Sequence, residues 1–320
     1  MKIGILGTAD VAFRRFLPAL AVCKGFDYAG VASRTPEKGR IFQERYGGKI
    51  FDGYGDLLKD STIGAVYVPL PPALHFEWGK RVLASGKHLL MEKPFTTCLA
   101  ETEELLALAK EKNLTVHENY MFLYHSQLAK IKGIIASGEI GEPRLLRMTF
   151  GFPKRTEGDF RYNRALGGGA LLDCGGYPVR LALELLGDSA RVVQSSLSRP
   201  KGYEIDLYGS AVLENDAGLC TQISFGMDNA YQCRLELWGS KATLIAPRIF
   251  TAGPDFKPGL ILRTSAGETG VELERDDQFL HSMERFKTGI ADPAIREQLS
   301  AAIMKQSRLV AAIQKGGIQP

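Results

Sequence analysis

Lys2-Ile3-Gly4-Ile5-Leu6-Gly7-Thr8-Ala9-Asp10-Val11-Ala12 opens the chain. Residues 2–6 are a short apolar run and read as a buried strand that stops at Gly7. A helical pattern follows to about Val22, with Phe13, Phe16, Leu17 and Leu20 on one face. Strand, tight turn and helix in this order are the setting of a dinucleotide fingerprint. Aligned on Gly7, the motif is Gly7-x-Ala9-x-x-Ala12 rather than G-x-G-x-x-G. Ala9 adds a methyl where backbone must approach a pyrophosphate, and many strand–turn–helix units look like this. The turn sets the fold class more firmly than it sets a ligand.

Working outward, Tyr28-Ala29-Gly30-Val31-Ala32-Ser33 is the second strand, followed by Arg34. An NAD site carries Asp or Glu at this strand end to hold the ribose 2′-hydroxyl. Ser33 and Arg34 stand there instead. A hydroxyl and a guanidinium suit a 2′-phosphate, which favours NADP(H) over NAD. The bland alternative is an ordinary loop arginine. A helix from Pro36 to Tyr46, a short helix at Tyr54–Leu58 and a strand at Ala65–Val68 come next. Pro69-Leu70-Pro71-Pro72 ends that strand, and His75 precedes a helix over Phe76–Ser85. Lys87-His88-Leu89-Leu90-Met91 then runs into Glu92-Lys93-Pro94. The carboxyl end of a parallel strand is where open α/β sheets bind ligands, so Lys93 is placed to act there. Pro94 restricts the residue before it and admits a cis bond. Taken alone, the tripeptide reads equally well as a solvated lysine at a strand end. The helix Ala100–Lys110 and the strand Leu114–Glu118 complete an alternation that means a parallel, doubly wound sheet over residues 1–120.

Composition narrows the function. The chain has 320 residues, long enough for two ordinary domains with sizeable cores. A net charge of +4 with no Lys/Arg run gives no groove for nucleic acid. The five cysteines are scattered without metal spacing, so reduced thiols in a cytoplasmic protein are the simplest reading. No run approaches the roughly 20 apolar residues of a membrane span. The histidines are dispersed, so no metal is expected.

The pattern changes after Tyr120. A helix from Ser126 to Ser137 stops at Gly138, and strand signals take over. Leu146, Met148, Phe150 and Phe152 alternate, as do Tyr231–Leu237. Asn215-Asp216-Ala217-Gly218 is a turn between strands. Residues 121–320 therefore read as an α+β domain with a large, mostly antiparallel sheet. Its open face is a candidate surface for a homo-oligomer, a dimer or tetramer. Gly167-Gly168-Gly169 permits close backbone approach, and Asp173 and Tyr177 share a face if the segment is helical. Pro178 leaves that helix open, because proline suits a first turn.

Gly7-Thr8-Ala9, Glu92-Lys93-Pro94 and Gly167-Gly168-Gly169-x-x-x-Asp173-x-x-x-Tyr177, in this order, resemble the Gfo/Idh/MocA oxidoreductases over nearly the whole chain. Many members have histidine where Tyr177 stands. The tyrosine resembles the branch with glucose–fructose oxidoreductase, dihydrodiol dehydrogenase and the sugar-nucleotide 3-ketoreductases. Tyr67-Val68-Pro69-Leu70-Pro71, Glu118-Asn119-Tyr120-Met121-Phe122-Leu123, Gly158-Asp159-Phe160-Arg161-Tyr162 and Phe225–Tyr231 are most similar to the NDP-3-keto-6-deoxysugar 3-ketoreductases. The resemblance implies NADPH-dependent reduction of the C3 ketone of a nucleotide-linked sugar. It implies a cofactor site of Gly7, Thr8, Ala9, Asp10, Val11, Ala12, Ser33, Arg34, Tyr54, Leu70, His75, Glu92, Lys93, Arg161 and Asp173. Lys93 and Tyr177 would be catalytic, and Arg15 and Tyr231 would join them on the substrate. Arg14, Arg15 and Arg161 together supply more cations than the NADPH phosphates need. For Arg14 a solvated surface position is the better reading. The rivals are a sugar or trans-dihydrodiol dehydrogenase of the same family and a non-catalytic cofactor-binding regulator. Keeping Lys93, Asp173 and Tyr177 together argues against the regulator.

Overall fold

In the computed structural model, which describes residues 1–316, β1 (Lys2–Leu6) exposes its first residue and buries the next four. Five further strands join it: β2 (Asp27–Ser33), β3 (Lys49–Asp52), β4 (Ile63–Val68), β5 (His88–Met91) and β6 (Val116–Glu118). All pair in parallel, in the order β3-β2-β1-β4-β5-β6. The order reverses between β1 and β4, and ligands of open α/β sheets bind at such a switch point, outside the carboxyl ends of the strands. Ile3, Ile5, Val66, Val68, Leu89 and Met91 fill the two sheet faces at 0–1% exposure, which explains why these strands read as unbroken apolar runs. The connecting helices are α1 (Leu17–Val22), α2 (Pro36–Tyr46), α3 (Tyr54–Lys59), α4 (His75–Ala84) and α5 (Leu99–Glu111). β3 was not foreseen. It is four residues long, and charged residues at both ends leave too short an apolar pattern to signal a strand.

The second sheet has eight strands. β7 (Pro143–Gly151) follows α6 (Ser126–Ser137), which ends on left-handed Gly138. α7 (Gly176–Leu186) precedes β8 (Arg191–Ser198), β9 (Tyr208–Glu214), β10 (Cys220–Gly226), β11 (Gln232–Gly239), β12 (Thr243–Ala246), β13 (Gly259–Thr264) and β14 (Gly267–Glu272). The order is β14-β13-β12-β11-β7-β10-β9-β8, antiparallel except where β7 meets β10. Leu146, Met148 and Phe150 of β7 and Cys233, Leu235 and Leu237 of β11 are buried on one face. Tyr208 and Trp238 project from the other and are about half exposed.

Two units emerge: Met1–Tyr120 with Phe279–Ser307, and Met121–Gln278 with the chain from Arg308. The C-terminal domain expected over 121–320 thus gives up a segment to the first unit. That segment holds most of α8 (Gln278–Ala291) and the larger part of α9 (Pro293–Gln314). Polar ties anchor it there: the Ser282 hydroxyl meets His117 and Asn119, and Thr115 Oγ1 donates to the Gly289 carbonyl.

The segment around Pro178 is helical. A π turn, Leu171–Gly175, leads into α7, and a matching π turn, Ala12–Phe16, leads into α1 ahead of Pro18. A proline ring collides with the carbonyl four residues back in a regular helix. The wider π turn carries that carbonyl away, so both prolines are accommodated.

Candidate active site

The first turn is shaped by Gly7, at φ 98°, a conformation open to glycine. A Cβ here would lie 2.7 Å from Leu70 Cδ2 and 3.7 Å from the Tyr54 hydroxyl oxygen. The Gly7 N–H donates to the Ala32 carbonyl, which ties the turn to β2. Thr8, Ala9 and Val11 keep part of their surface, Ala12 is buried, and Asp10 is exposed in an ion pair with Arg14. Arg15, on the same π turn, is exposed. At the end of β2 the buried Ser33 hydroxyl accepts from Thr35 N–H, and exposed Arg34 lies close enough to act on the Tyr54 phenol. Burial pushes the Tyr54 phenol up, and the Arg34 charge pulls it back. Gly7, Arg34, Tyr54 and Leu70 therefore meet at one corner of the sheet edge. That corner offers a backbone cradle and a cation with no acid at the β2 end, a set that fits a dinucleotide carrying a 2′-phosphate.

The next corner is Glu92-Lys93-Pro94, where the Lys93–Pro94 bond is cis. Glu92 Oε1 accepts from the Tyr67 hydroxyl at 2.6 Å and from Asn119 Nδ2 at 2.7 Å, while Oε2 faces the Lys93 N–H at 3.3 Å. Burial pushes the Glu92 carboxyl up, and these donors together with the Lys93 charge oppose it. Pro94 O lies 2.7 Å from His75 Nδ1, and Leu70 O lies 2.8 Å from its Nε2. His75 is fully buried, and burial lowers its pKa to about 4. The ring is neutral at pH 7 and donates to one of the two carbonyls. His75 thus braces the loops after β4 and β5. The Phe95 N–H donates to Glu118 Oε1. Both neighbours of Lys93 are held from several sides.

In the second unit, Gly168 lets backbone meet backbone. A Cβ on Gly168 would come 2.3 Å from the Arg161 carbonyl oxygen, and Gly169 sits at φ 128° against Asp206. The Gly169 N–H donates to Arg161 O, and Leu171 N–H donates to Asp206 Oδ2. Arg161 Nε pairs with Asp173 at 2.8 Å, and Nη1 pairs with Asp159 at 3.1 Å. Burial disfavours the guanidinium charge, but the two carboxylates outweigh it and raise the pKa. Tyr177 is 7% exposed in an aromatic cage, with ring centroids 5.0 Å from Phe150, 5.7 Å from Phe122 and 5.9 Å from Phe250. Tyr231 is exposed, its hydroxyl 2.9 Å from Thr251 Oγ1 and its ring faced by Arg248 at 5.8 Å.

The surplus of cations expected from the sequence is reduced by these contacts. Asp10 takes Arg14, and Asp159 with Asp173 takes Arg161. Two residues given no role from the sequence, Tyr67 and Asn119, bond the Glu92 carboxylate directly. A polar Asn119 just past the end of a buried strand was the available signal. Among the described residues, no group of three or more His, Cys, Asp or Glu side chains is arranged to hold a metal. No helix there is long and apolar enough to cross a membrane, and none of the five cysteines is in a disulfide.

The model of an oxidoreductase family with an NAD-binding Rossmann fold matches residues 1–120, and that of the Gfo/Idh/MocA C-terminal domain matches residues 128–245. The chain belongs to the Gfo/Idh/MocA oxidoreductase family. Full-length kinship supports the assignment. The dTDP-3,4-didehydro-2,6-dideoxy-alpha-D-glucose 3-reductase of Saccharopolyspora spinosa is 36% identical, with 98% of this chain and 96% of that protein covered. The Streptomyces violaceoruber protein of the same name is 38% identical over 98% and 95%. Among solved structures, a 3-ketoreductase from Actinomadura kijaniata in complex with NADP and TDP-benzene has a TM-score of 0.95 at 36% identity, covering 99% of this chain and 98% of that one. As a Gfo/Idh/MocA oxidoreductase, the chain pairs its Rossmann unit with the open mostly antiparallel sheet that the sequence implied.

Proposed function

We propose that this protein uses NADPH to reduce the C3 ketone of a dTDP-linked 3-keto-6-deoxyhexose. The observation that carries the reading is identity of 36–38% along almost the whole of both chains to reductases named for that chemistry. NADPH supplies the hydride when bound. Gly7 to Ala12 cradle its pyrophosphate, and Arg34, with Ser33 beside it, takes the 2′-phosphate. Tyr54, Leu70 and Glu92 of the first unit join them, with His75 bracing the loops behind, and Arg161 and Asp173 are the second unit's contribution to holding the cofactor. Tyr177 donates its phenolic proton to the oxygen that becomes the C3 hydroxyl. The Lys93 ammonium stabilises the negative charge on that oxygen as it develops, a task for a fixed donor in a dry site. Arg15 and Tyr231 take the nucleotide. The protein works in the cytoplasm, as a homo-oligomer in which a second copy covers the sheet face bearing Tyr208 and Trp238.

Cofactor choice is open to direct measurement. NADPH should be preferred over NADH by about tenfold or more in kcat/KM, the scale of one charge-assisted contact to phosphate. Arg34→Ala should remove most of that preference. Equal kcat/KM for both cofactors in the parent would sink the assignment.

The substrate class is tested by calorimetry on the NADPH-loaded protein. dTDP should bind in the micromolar-to-millimolar range, on the order of 4–8 kcal/mol. It should compete with the ketone rather than with NADPH, and bind more weakly to Arg15→Ala and to Tyr231→Ala. With Arg14 and Arg161 already paired, Arg15 is the decisive cation. No binding of dTDP, UDP or GDP, together with rapid oxidation of a free aldose, would replace this reading with a sugar dehydrogenase.

A further inference from the structure

Three buried side chains of the first unit and the half-buried Glu92 form a directed chain of hydrogen bonds. The Ser282 hydroxyl on α8 donates to Asn119 Oδ1 at 2.7 Å and lies 2.9 Å from His117 Nε2. A hydroxyl has one proton to give, so His117 Nε2–H must be the donor to Ser282. Asn119 then presents Nδ2–H to Glu92 Oε1. Turning the amide over would place its oxygen against a carboxylate, so the orientation follows from the neighbours. His117, Asn119 and Ser282 are each 1% exposed. Every link points the same way, toward negative charge on Glu92. Tyr67 adds a second donor to the same oxygen from β4, its ring stacked on Phe16 with centroids 4.0 Å apart.

We propose that Asn119 and Ser282 are positioning residues of the reaction: they hold Glu92 ionised, and the Glu92 carboxylate, facing the Lys93 N–H, keeps Lys93 in place. The proposal rests on the charge-stabilising role given to Lys93 above. Oε1 takes the two short donors and Oε2 meets only the Lys93 N–H at 3.3 Å, and each of these donors favours the anion. Burial pulls the other way, which is why the donors matter. Charged and titratable groups approach this carboxylate from several elements. Tyr67 faces it from β4, and Lys93 adjoins it in the chain. From β6, His117 feeds the chain of bonds, and Glu118 bonds the Phe95 N–H. On α4, His75 is turned to Pro94 and Leu70. A helix that reaches the first unit only after residue 278 thereby helps set the charge state beside the lysine.

The test reads Glu92 directly. In protein labelled with 13C-glutamate and loaded with NADPH, the peak lost in Glu92→Gln identifies the Glu92 carboxyl carbon. Removing a donor to the charged form raises a pKa. In Asn119→Leu this carbon should titrate roughly one unit or more above the parent, the scale of one hydrogen bond to a charged group. Ser282→Ala should shift it less in the same direction, and Ser282→Thr should restore the parental value. The acid limb of kcat for the dTDP-linked ketone should move upward by the same amount, because the anion is lost at a higher pH. NADPH affinity at pH 8 should stay near parental. Should Asn119→Leu fail to fold, the two Ser282 variants carry the test alone. A Glu92 carbon that titrates identically in parent and variants overturns the proposal. A normal rate for Lys93→Met would instead remove the role assigned to the lysine and leave the titration result standing.

Discussion

Lys93→Met should bind NADPH and turn over roughly 10²–10³-fold more slowly than the parent, the loss typical of removing one donor that stabilises developing charge. Methionine keeps the length and apolar stem of the side chain and deletes the ammonium, so packing changes little. The surrounding backbone has several supports of its own. Glu92 is held by Tyr67 and Asn119, Pro94 O faces His75, and the Phe95 N–H is bonded to Glu118. The variant should therefore fold and retain cofactor affinity. An interaction made mainly in the transition state lowers kcat and kcat/KM together. That joint fall, measured by NADPH oxidation with the dTDP-linked ketone, is the signature expected. Turnover at the parental rate would show that the lysine carries no charge-stabilising role.

Tyr177→Phe removes one oxygen from a ring already enclosed by phenylalanines. The ring contacts of the cage are the same with or without that oxygen. The rate should fall toward the ~10²–10⁴-fold range of a lost general acid, and by less if water supplies the proton. The double variant is the sharper measurement. If Tyr177 and Lys93 serve the same oxygen, the loss in Lys93→Met/Tyr177→Phe should be clearly smaller than the product of the single losses. A multiplicative result would separate the two roles. An unaffected Tyr177→Phe would transfer the proton-donor role to Lys93, the assignment the sequence left open.

Local chemistry made much of this protein readable. β1 shows itself because four consecutive buried residues leave no exposed face to interrupt the apolar run. Gly7, the glycines at 167–169 and the Glu92-Lys93-Pro94 corner are short, contiguous signals whose backbone demands are local. The Arg161–Asp159 pair spans two residues and could have been read, yet a sequence does not say whether a charge faces solvent, a ligand or a neighbour. The fold class and the family therefore came from the chain itself. What bonds to the Glu92 carboxylate did not. Tyr67 and Asn119 lie 25 and 27 residues from it, and Ser282 lies 163 residues from Asn119. Periodicity reports which face of an element is buried. It does not report which buried polar atoms meet once distant elements pack, and only the tertiary structure decides that: each buried donor and acceptor must find its partner wherever the fold brings one within reach.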